Sequence, residues 1–576
     1  LSLGIDVRKD MILKALYDYY NRCSDLPPIG MEEKEIGFLI VLSPDGRFVR
    51  FEDCRIGKNH ARAYLVKKHV GRSSGAVANY LYDNGVYVLG YSEKNTGKEQ
   101  SCFDKFKAKI EEIVKAFPDN KDLSAIKAFY ENSRETIIQT VSQDPLWEDI
   151  KKNLSKKYSI FSFRIDGDTK IVAEKKEILQ FEENDGNATD NLCLITGSHG
   201  PCVDTTTATM IPGSQATAKL VAFQINSGYD SYGKTKCGNA PISEKAEFAY
   251  TTALNSMLQH DSRNKFRLGT RTFVFWASND KEASKEAEES LFELLGYSEE
   301  ETDDPNAHLI EVRKVFESIY SGVLSTGLDD KFYILGLAPN SARIAVIYWS
   351  ETTLKDFAEK ILRHFSDMEI NDTRKNKKPY MGVRDIISSV THGGKMSDAT
   401  PNLPEAVVKS IFQGLPYPAT LYAACIRRIR AEQELTITRA AILKAYLNRI
   451  NNNPLKIGIM LDKGNNNQGY LCGRLFAVLD KIQYEANNIS SIRERYMNAA
   501  SATPSTVFAT ILNLSVHHAE KLDEGRRIYF EKLKQEIFEK MSANGFPTHL
   551  DLQDQGRFFV GYYHQRQDLF ASKKEQ

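Results

Sequence analysis

With 576 residues, the chain exceeds the roughly 250 to 300 residues at which single hydrophobic cores stop growing, so we expect two to four domains. Eight irregularly spaced cysteines exclude a disulfide framework, and no apolar run approaches the roughly 18 residues that span a bilayer, so we expect a cytoplasmic protein with no membrane partner. Lysine plus arginine and aspartate plus glutamate each total 76, which excludes a net attraction to DNA or acidic lipid and leaves that role to local clusters.

The first predicted elements are a helix and a hairpin. The chain starts at Leu1, and we expect residues 1–10 to be leftover sequence ahead of a natural start at Met11. MILKALYDYYNRC has apolar residues at helical spacing and predicts an amphipathic helix. GFLIVL and RFVRFE flank SPDG, whose turn chemistry predicts a β-hairpin. Further on, Asn84 and Gly85 are expected to take positive φ and to turn the chain into a strand, VYVLGYS.

A basic segment follows the hairpin. Between Arg47 and Arg72 there are eight Lys or Arg residues and two acidic ones, which makes a candidate phosphate surface, although a solvated strand surface shows the same pattern. The adjoining VGRSSGAVANYLYDN supplies glycines, hydroxyls and amides, the groups that hold phosphates and read base edges. The candidate contacts there are Arg72, Ser73, Ser74 and Asn79. Capping of a turn is the alternative for Asn79.

GRSSG also matches the G-x-S-x-G nucleophile elbow, with Ser73 as the nucleophile of a serine hydrolase. Such a hydrolase needs an oxyanion loop before the nucleophile, but the only HGG sequence begins at His392. The β-α-β alternation of a parallel sheet is also missing. The hydrolase therefore stays an alternative function.

No metal or cofactor is expected. Cys193, Cys202 and Cys237 with His199 lack the C-x-x-C or H-x-x-x-H spacing of zinc ligands. His517 and His518 are adjacent on a predicted helix, so their side chains point about 100° apart.

The middle of the chain alternates helices and strands. The pattern is helical from Cys102 to about Lys157, IFSFRIDGDTK predicts a strand and a turn, and the polar run 182–191 predicts a domain boundary. A strand at 271–278, helices near 283–296 and 308–323, a hairpin at 332–349 and a helix from Thr353 follow. This order suggests a split ferredoxin-like sheet.

After about Pro404 every predicted element is helical. In GYLCGRLFAVLDKIQ the apolar residues recur at helical spacing, with Arg474 and Lys481 on a neighbouring face. Thr503 and Pro504 form an N-cap and first-turn pair. We therefore predict an α+β multidomain fold, with a mixed α/β N-terminal and middle region that contains β-hairpins and a C-terminal helical bundle. The expected domains are 11–181, 182–395, a helical connector 396–455 and the bundle 456–576.

Several segments in one order, from Met11 nearly to the C terminus, carry a resemblance to a known family. They include MILKALYDYY (11–20), GRSSGAVANYLYDN (71–84), CLITG (193–197), TFVFWA (272–277), FYILGLAPNSARIAV (332–346), LDKGNNNQGYLCGRLFAVLDKIQ (461–483), EGRRIYFEKL (524–533) and FFVGYYHQRQ (558–567). In these segments the chain resembles the large subunit of the subtype I-C CRISPR Cascade, an RNA-guided DNA surveillance complex. The stretch at 204–219, DTTTATMIPGSQATAK, departs from the family pattern.

The resemblance implies a non-enzymatic subunit that recognises the protospacer-adjacent motif (PAM) on duplex DNA, initiates R-loop formation and helps to hold the displaced strand. It also implies recruitment of a helicase-nuclease in antiviral defence. The implied partners are the crRNA, target double-stranded DNA, the Cascade backbone subunits, the subunit that binds the crRNA handle, separate small subunits and the helicase-nuclease. A purely structural scaffold subunit is the alternative.

The resemblance gives the candidate residues places in that role. On the duplex, phosphate contacts are expected from Lys58, Lys67, Lys68 and Arg72, with Ser73 beside them. Ser74 and Asn79 are expected to lie near base edges. A second contact set is Gln215, Asn226, Tyr232, Lys234 and Asn239. For the helical end the resemblance implies a fused small subunit, with Met460 as the internal start for separate copies. The displaced-strand candidates are Arg474, Lys481, Arg493, Arg495, Arg526 and Arg527.

Overall fold

The computed structural model describes residues 12–57, 59–70, 77–93, 97–181, 190–225, 230, 232–259, 261–268, 270–294, 305–373, 382–395, 398–450 and 456–571. Contacts group the chain into two compact units. The N-terminal unit comprises Leu16–Thr209 and Val221–Ser256, and the C-terminal unit comprises Leu1–Ala15, Met210–Leu220 and Met257–Gln576. The boundaries predicted at residues 182, 396 and 456 stay predictions, and the N-terminal unit runs past the first of them.

The N-terminal part of the chain mixes short strands and helices. The strands are β1 (Met31–Glu35), β2 (Phe38–Leu42), β3 (Phe48–Asp53), β4 (Arg55–Ile56), β5 (His60–Ala61), β6 (Ala63–Lys67), β7 (Tyr82–Asn84), β8 (Ile160–Ile165), β9 (Asp190–Leu192) and β10 (His199–Pro201). The helices are α1 (Ile12–Arg22), α2 (Gly85–Val88), α3 (Glu99–Ala116), α4 (Lys121–Tyr130), α5 (Arg134–Val141), α6 (Trp147–Asn153), α7 (Lys176–Leu179) and α8 (Glu244–Met257).

A four-stranded sheet in the order β3-β2-β8-β7 forms the centre of the N-terminal unit. β2 is antiparallel to β3 and parallel to β8, and Ile40 lies opposite both Phe51 and Phe163. Every residue of β2 is buried, and the rings of Phe106 on α3 and Tyr130 on α4 pack on Phe163. β1 and β6 form a separate antiparallel pair, and β6 lies near the end of the basic segment.

Most of the elements predicted in this unit are confirmed. The amphipathic helix is α1, the SPDG hairpin is β2–β3 with Gly46 at φ +87°, and the helical run from Cys102 is α3 to α6. The strand predicted after Asn84 is wrong. Asn84 has φ −72°, and its side-chain oxygen accepts from the Val86 N–H, so it caps the short helix α2 instead of turning the chain into a strand.

The C-terminal unit has one sheet followed by helices. Its strands are β11 (Lys265–Leu268), β12 (Arg271–Ala277), β13 (Lys331–Asn340) and β14 (Arg343–Thr353). Its helices are α9 (Glu282–Leu294), α10 (Pro305–Ser321), α11 (Leu354–Met368), α12 (Val383–Val390), α13 (Leu403–Phe412), α14 (Ala419–Glu432), α15 (Ile437–Arg449), α16 (Gln468–Asn487), α17 (Ser491–Ala500), α18 (Pro504–Ala519), α19 (Glu524–Phe538) and α20 (Leu552–Ala571). The α+β fold and the C-terminal helical bundle are thus confirmed.

The sheet of the C-terminal unit is an antiparallel meander in the order β11-β12-β13-β14. The predicted strand at 271–278, the two helices after it and the hairpin at 332–349 are all present. The split ferredoxin-like arrangement is wrong, because the strands lie side by side in chain order. The prediction lacked β11, a four-residue strand that forms a hairpin with β12 and occupies the sheet edge.

The helix α16 is the central element of the bundle. Every residue from Gly469 to Gln483 is buried, so this helix has no solvent-exposed face along most of its length. It packs closely on α20: a Cβ added at Gly473 would lie 1.9 Å from the Phe558 carbonyl oxygen, and one at Gly561 would lie 2.3 Å from that of Tyr470. None of the described helices is both long enough and apolar enough to cross a bilayer.

Candidate nucleic-acid interface

The structure describes three of the predicted duplex contacts, Lys67 and Lys68 at the end of β6 and Asn79 before β7. Of the predicted contacts, Lys58, Arg72, Ser73, Ser74 and Asn226 lie outside the described residues. The GRSSG motif, on which the hydrolase alternative depends, lies there as well. The residues that flank 71–76 are described, and their contacts follow.

Glu32 of β1 holds the chain just after β6. The His69 N–H donates to Glu32 Oε1 at 3.2 Å, and His69 Nδ1 lies 2.7 Å from Glu32 Oε2. The Tyr82 hydroxyl lies 2.9 Å from the same carboxylate and 2.7 Å from the Lys67 carbonyl, and its single proton is shared between these two acceptors. Burial raises the pKa of Glu32, but the hydrogen bond and charge of His69 outweigh burial and hold the pKa below its ordinary value of 4.5. Glu32 is therefore an ionised anchor for His69.

Asn79 is hydrogen-bonded to Val70, nine residues before it in the chain. Its side-chain oxygen accepts from the Val70 N–H at 2.9 Å, and its own N–H donates to Asp83 Oδ2 at 3.0 Å. The residue is buried, with 7% of its surface exposed. Asn79 thus fixes the backbone of Val70. The base contact predicted for Asn79 stays a prediction, and so does the turn cap weighed against it, because the bond to Val70 spans nine residues.

The two lysines at the end of β6 are engaged inside the unit. Lys68 Nζ donates to Thr207 Oγ1 at 2.8 Å, lies 3.4 Å from Glu247 Oε2 and sits 5.0 Å from the ring centroid of Phe248. Lys67 Nζ lies 5.5 Å and 5.0 Å from the ring centroids of Tyr80 and Phe181. Their ammonium groups add positive charge beside the loop, but Lys68 is not a bare phosphate contact.

Three acceptors of this site, Glu32, Thr207 and Glu247, are absent from the predicted contacts. Glu247 is 4% exposed on α8 and also accepts from the Thr207 N–H. They come from elements far apart in sequence, so no local motif marks them. A buried acid on an otherwise apolar helix face is the one sequence signal that could have identified Glu247.

The second predicted contact set contains a strained turn. Tyr232 has φ +53° and is 99% exposed, Gly233 has φ +71° and Lys236 has φ +45°. Lys234 is exposed, and its carbonyl accepts from the Asn239 side-chain amide at 2.7 Å. Asn239 therefore braces the turn that presents Tyr232. Gln215 is exposed in the C-terminal unit, where its N–H donates to the Ser341 carbonyl at 3.3 Å.

Four of the six displaced-strand candidates are not freely exposed. Arg474 is fully buried and donates to Gln565 at 3.0 Å and Glu536 at 2.8 Å, because α16 is buried on all sides. The surface role predicted for Arg474 is therefore wrong. Lys481 is 8% exposed and pairs with Glu485 at 3.5 Å. The prediction assumed that Lys481, like Arg474, is exposed to solvent on α16, and this assumption is wrong for both residues.

The remaining candidates differ in exposure. Arg526 donates to both oxygens of Glu485, at 2.9 Å and 2.6 Å. Arg493 is partly buried, whereas Arg495 and Arg527 are exposed. Met460, the predicted internal start, is 65% exposed in the segment ahead of α16.

Cys193, Cys202 and Cys237 of the N-terminal unit are buried thiols. Cys193 accepts from the Ser243 N–H at 3.3 Å, and Cys237 donates to Asp204 Oδ1 at 3.3 Å. Burial raises the pKa of Cys193, but hydrogen bonds from Ser243 and Thr196 outweigh it and lower the value to about 7. Within the part of the chain that the structure describes, no three His, Cys, Asp or Glu side chains are grouped to hold a metal.

Comparison with known proteins gives one assignment for the chain. No curated protein matches it. A family model does match, described as CRISPR-associated protein (Cas_Csd1), and it covers residues 16–570, which include every described residue of the interface above. The chain therefore belongs to the Cas_Csd1 family of CRISPR-associated proteins.

Proposed function

We propose that the chain is the large subunit of a subtype I-C CRISPR Cascade, and that it recognises the protospacer-adjacent motif on double-stranded DNA without catalysing a reaction. The observation that carries this proposal is that the residues flanking 71–76 are fixed by the fold: Glu32 holds His69, and Asn79 holds Val70. A site that reads a few base pairs needs contact groups fixed in advance by the surrounding fold. Membership of a CRISPR-associated family supports the guided context.

The proposed division of work follows from the chemistry of guided recognition. The protein reads a short duplex motif, and pairing with the crRNA reads the remaining sequence. Arg72 and Lys58 supply charge for phosphates, Ser74 supplies a hydroxyl for a base edge, and Lys67 and Lys68 raise the local positive potential. Opening of the duplex beside the motif then starts the R-loop.

The helical bundle has a separate proposed role. Arg495 and Arg527 are exposed cations that suit the backbone of the displaced strand. The proposed partners are the crRNA, the Cascade backbone and handle-binding subunits, separate small subunits and a helicase-nuclease recruited for cleavage.

A gel-shift of the assembled complex tests the proposal. Two target duplexes are used that differ only in the base pairs beside the guide-matched region. We expect the wild type to bind the motif-containing duplex more tightly, and Arg72→Ala with Ser74→Ala to reduce that preference. Lys127 is an exposed lysine on α4, and Lys127→Ala is the matched control, which should keep the preference for the motif-containing duplex. Equal binding of both duplexes by the wild-type complex would refute the proposal.

The same complex separates the two alternatives. A purely structural scaffold keeps its motif preference when Arg72 and Ser74 are changed. A serine hydrolase turns over ester or amide substrates and loses that turnover with Ser73→Ala, whereas a Cascade subunit co-purifies with a crRNA and shows no turnover.

A further inference from the structure

Tyr232 is an aromatic side chain that the fold presents to solvent at a conformational cost. Its side chain is 99% exposed, and its φ of +53° is one that bulky residues rarely adopt. Among the described residues of the N-terminal unit, no other large apolar side chain reaches this exposure. A strained backbone persists where the surroundings enforce it, and such positions concentrate at binding sites.

Two anchors enforce the turn around Tyr232. The Asn239 amide donates to the Lys234 carbonyl at 2.7 Å, which closes the turn on itself. Lys236 Nζ lies 2.7 Å from Asp204 Oδ2, and the Cys237 thiol donates to Asp204 Oδ1 at 3.3 Å. The carboxylate of Asp204 therefore ties the turn to the chain segment 204–207.

The same short segment also anchors the loop after β6. Lys68 Nζ donates to Thr207 Oγ1 at 2.8 Å, and Lys68 is two residues ahead of Val70, the residue that Asn79 fixes. Asp204 and Thr207 are three residues apart, so their Cα atoms are separated by at most about 11 Å. The turn of Tyr232 and the end of β6 at Lys68 are thus tied to opposite ends of one short piece of chain and border one surface.

The charge of this surface indicates which partner it suits. Lys234 is exposed beside Tyr232, and Lys67 and Lys68 lie at the other end. An aromatic face flanked by cations is the arrangement by which proteins hold unpaired nucleotides: the ring stacks on a base and the cations meet the backbone. Inside a duplex both faces of a base are covered by the stacked neighbouring bases, so a stacking partner must come from an opened duplex.

We propose that Tyr232 stacks on a nucleobase that becomes unpaired beside the recognised motif, and so stabilises the first opened base pair. This inference rests on the proposed function, because it needs the adjoining loop to hold the duplex. It assigns Tyr232 to strand opening and leaves motif reading to the segment 71–76.

Binding of DNA by the assembled complex tests this role. We expect Tyr232→Ala and Tyr232→Leu to weaken binding of a fully paired, motif-containing target by roughly 5- to 100-fold, the range that loss of one base–aromatic stack gives. Tyr232→Phe keeps the ring and should stay within about threefold of the wild type. Tyr320→Ala, a 45% exposed tyrosine on α10, is the matched control and leaves binding unchanged.

A second target isolates the opening step. It carries a mismatch that leaves the pair beside the motif already unpaired, with 2-aminopurine as the unpaired base. Stacking on the aromatic ring of the wild type or of the Tyr232→Phe variant quenches its fluorescence, whereas the Tyr232→Ala and Tyr232→Leu variants leave it unquenched. A Tyr232→Ala complex that binds and quenches like the wild type overturns the inference, as does loss of complex assembly, which would mean that Tyr232 contacts a protein subunit. A wild-type complex that ignores the motif refutes the proposed function instead.

Discussion

At the scale of single residues, Asn79 is a positioning residue, because its side-chain oxygen is used to hold Val70. Asn79→Ala leaves the Val70 N–H without this acceptor, and we expect a loss of about 1 kcal/mol in the free energy of unfolding. The displaced loop should also weaken binding of motif-containing duplex more than of motif-free duplex. Amide hydrogen exchange at Val70, compared with gel-shifts on both duplexes, measures the two effects.

Asn84→Ala is the control for this change. Asn84 makes the same kind of bond, from its side-chain oxygen to the Val86 N–H at 3.1 Å, but it caps α2 and does not hold the loop. Asn84→Ala should lower the free energy of unfolding by a similar amount and leave the preference for motif-containing duplex unchanged. Equal weakening of both duplexes by Asn79→Ala would contradict a role in reading the motif.

Glu32 gives the same site a defined pH dependence. Its pKa is lower in the folded state than the ordinary 4.5, so the folded protein binds this proton less readily than the unfolded chain. Its contribution to stability is therefore present above about pH 4.5 and is lost as the pH falls through the lowered value. We expect Glu32→Gln to reduce the free energy of unfolding at pH 7 by about 1–3 kcal/mol.

Urea unfolding at pH 7 and at a series of values below 4.5 checks this expectation. The difference between wild type and Glu32→Gln should shrink as the pH falls. Glu33→Gln, an exposed neighbour on β1, should match the wild type at every pH. A difference that stays constant with pH would mean that ionised Glu32 does not anchor His69.

At the scale of elements, α16 shows how burial changes the role of a charged residue. Arg474 is fully buried between Gln565 and Glu536, and removing it leaves both without their donor. Because Glu536 keeps about a third of its side chain exposed, we expect Arg474→Ala to cost about 2–4 kcal/mol, slightly less than the loss of a fully buried pair.

The unfolding midpoint followed by circular dichroism measures this cost. Arg495→Ala removes an exposed arginine from the neighbouring helix α17 and should change stability by no more than about 0.5 kcal/mol. If the two variants unfold alike, the Arg474 network does not contribute to the bundle.

The elements that could be predicted from sequence are those set by local signals. The SPDG turn and the apolar spacing of α1 and α16 depend on residues close together in the chain. The environment of α16 could not be predicted, because helical spacing marks an apolar stripe but not whether other helices cover the remaining faces. The same holds for the site: the basic segment is visible in sequence, whereas Glu32, Thr207 and Glu247 reach it only through the fold.

At the scale of the whole molecule, charge balance limits how the chain can bind nucleic acid. Positive and negative residues are equal in number at 76 each, so only cations left exposed and without internal acids can bind phosphates. Adjacent residues on α19 differ in this respect. Arg526 is held by both oxygens of Glu485, whereas Arg527 is exposed.

This difference predicts how salt affects binding of the displaced strand. When one cation that contacts a phosphate is removed, the slope of the logarithm of the binding constant against the logarithm of the salt concentration becomes shallower by about 0.7 for single-stranded DNA. We expect Arg527→Ala in the assembled complex to reduce the slope by about that amount. We expect Arg526→Ala to leave the slope nearly unchanged, because both oxygens of Glu485 already hold its guanidinium. Titrations of an R-loop target between 50 and 200 mM salt, roughly the range over which counterion release is measured, give both slopes. Equal slopes for wild type and Arg527→Ala would show that Arg527 does not contact the displaced strand. A reduced slope for Arg526→Ala would mean that the Arg526–Glu485 ion pair opens when DNA binds.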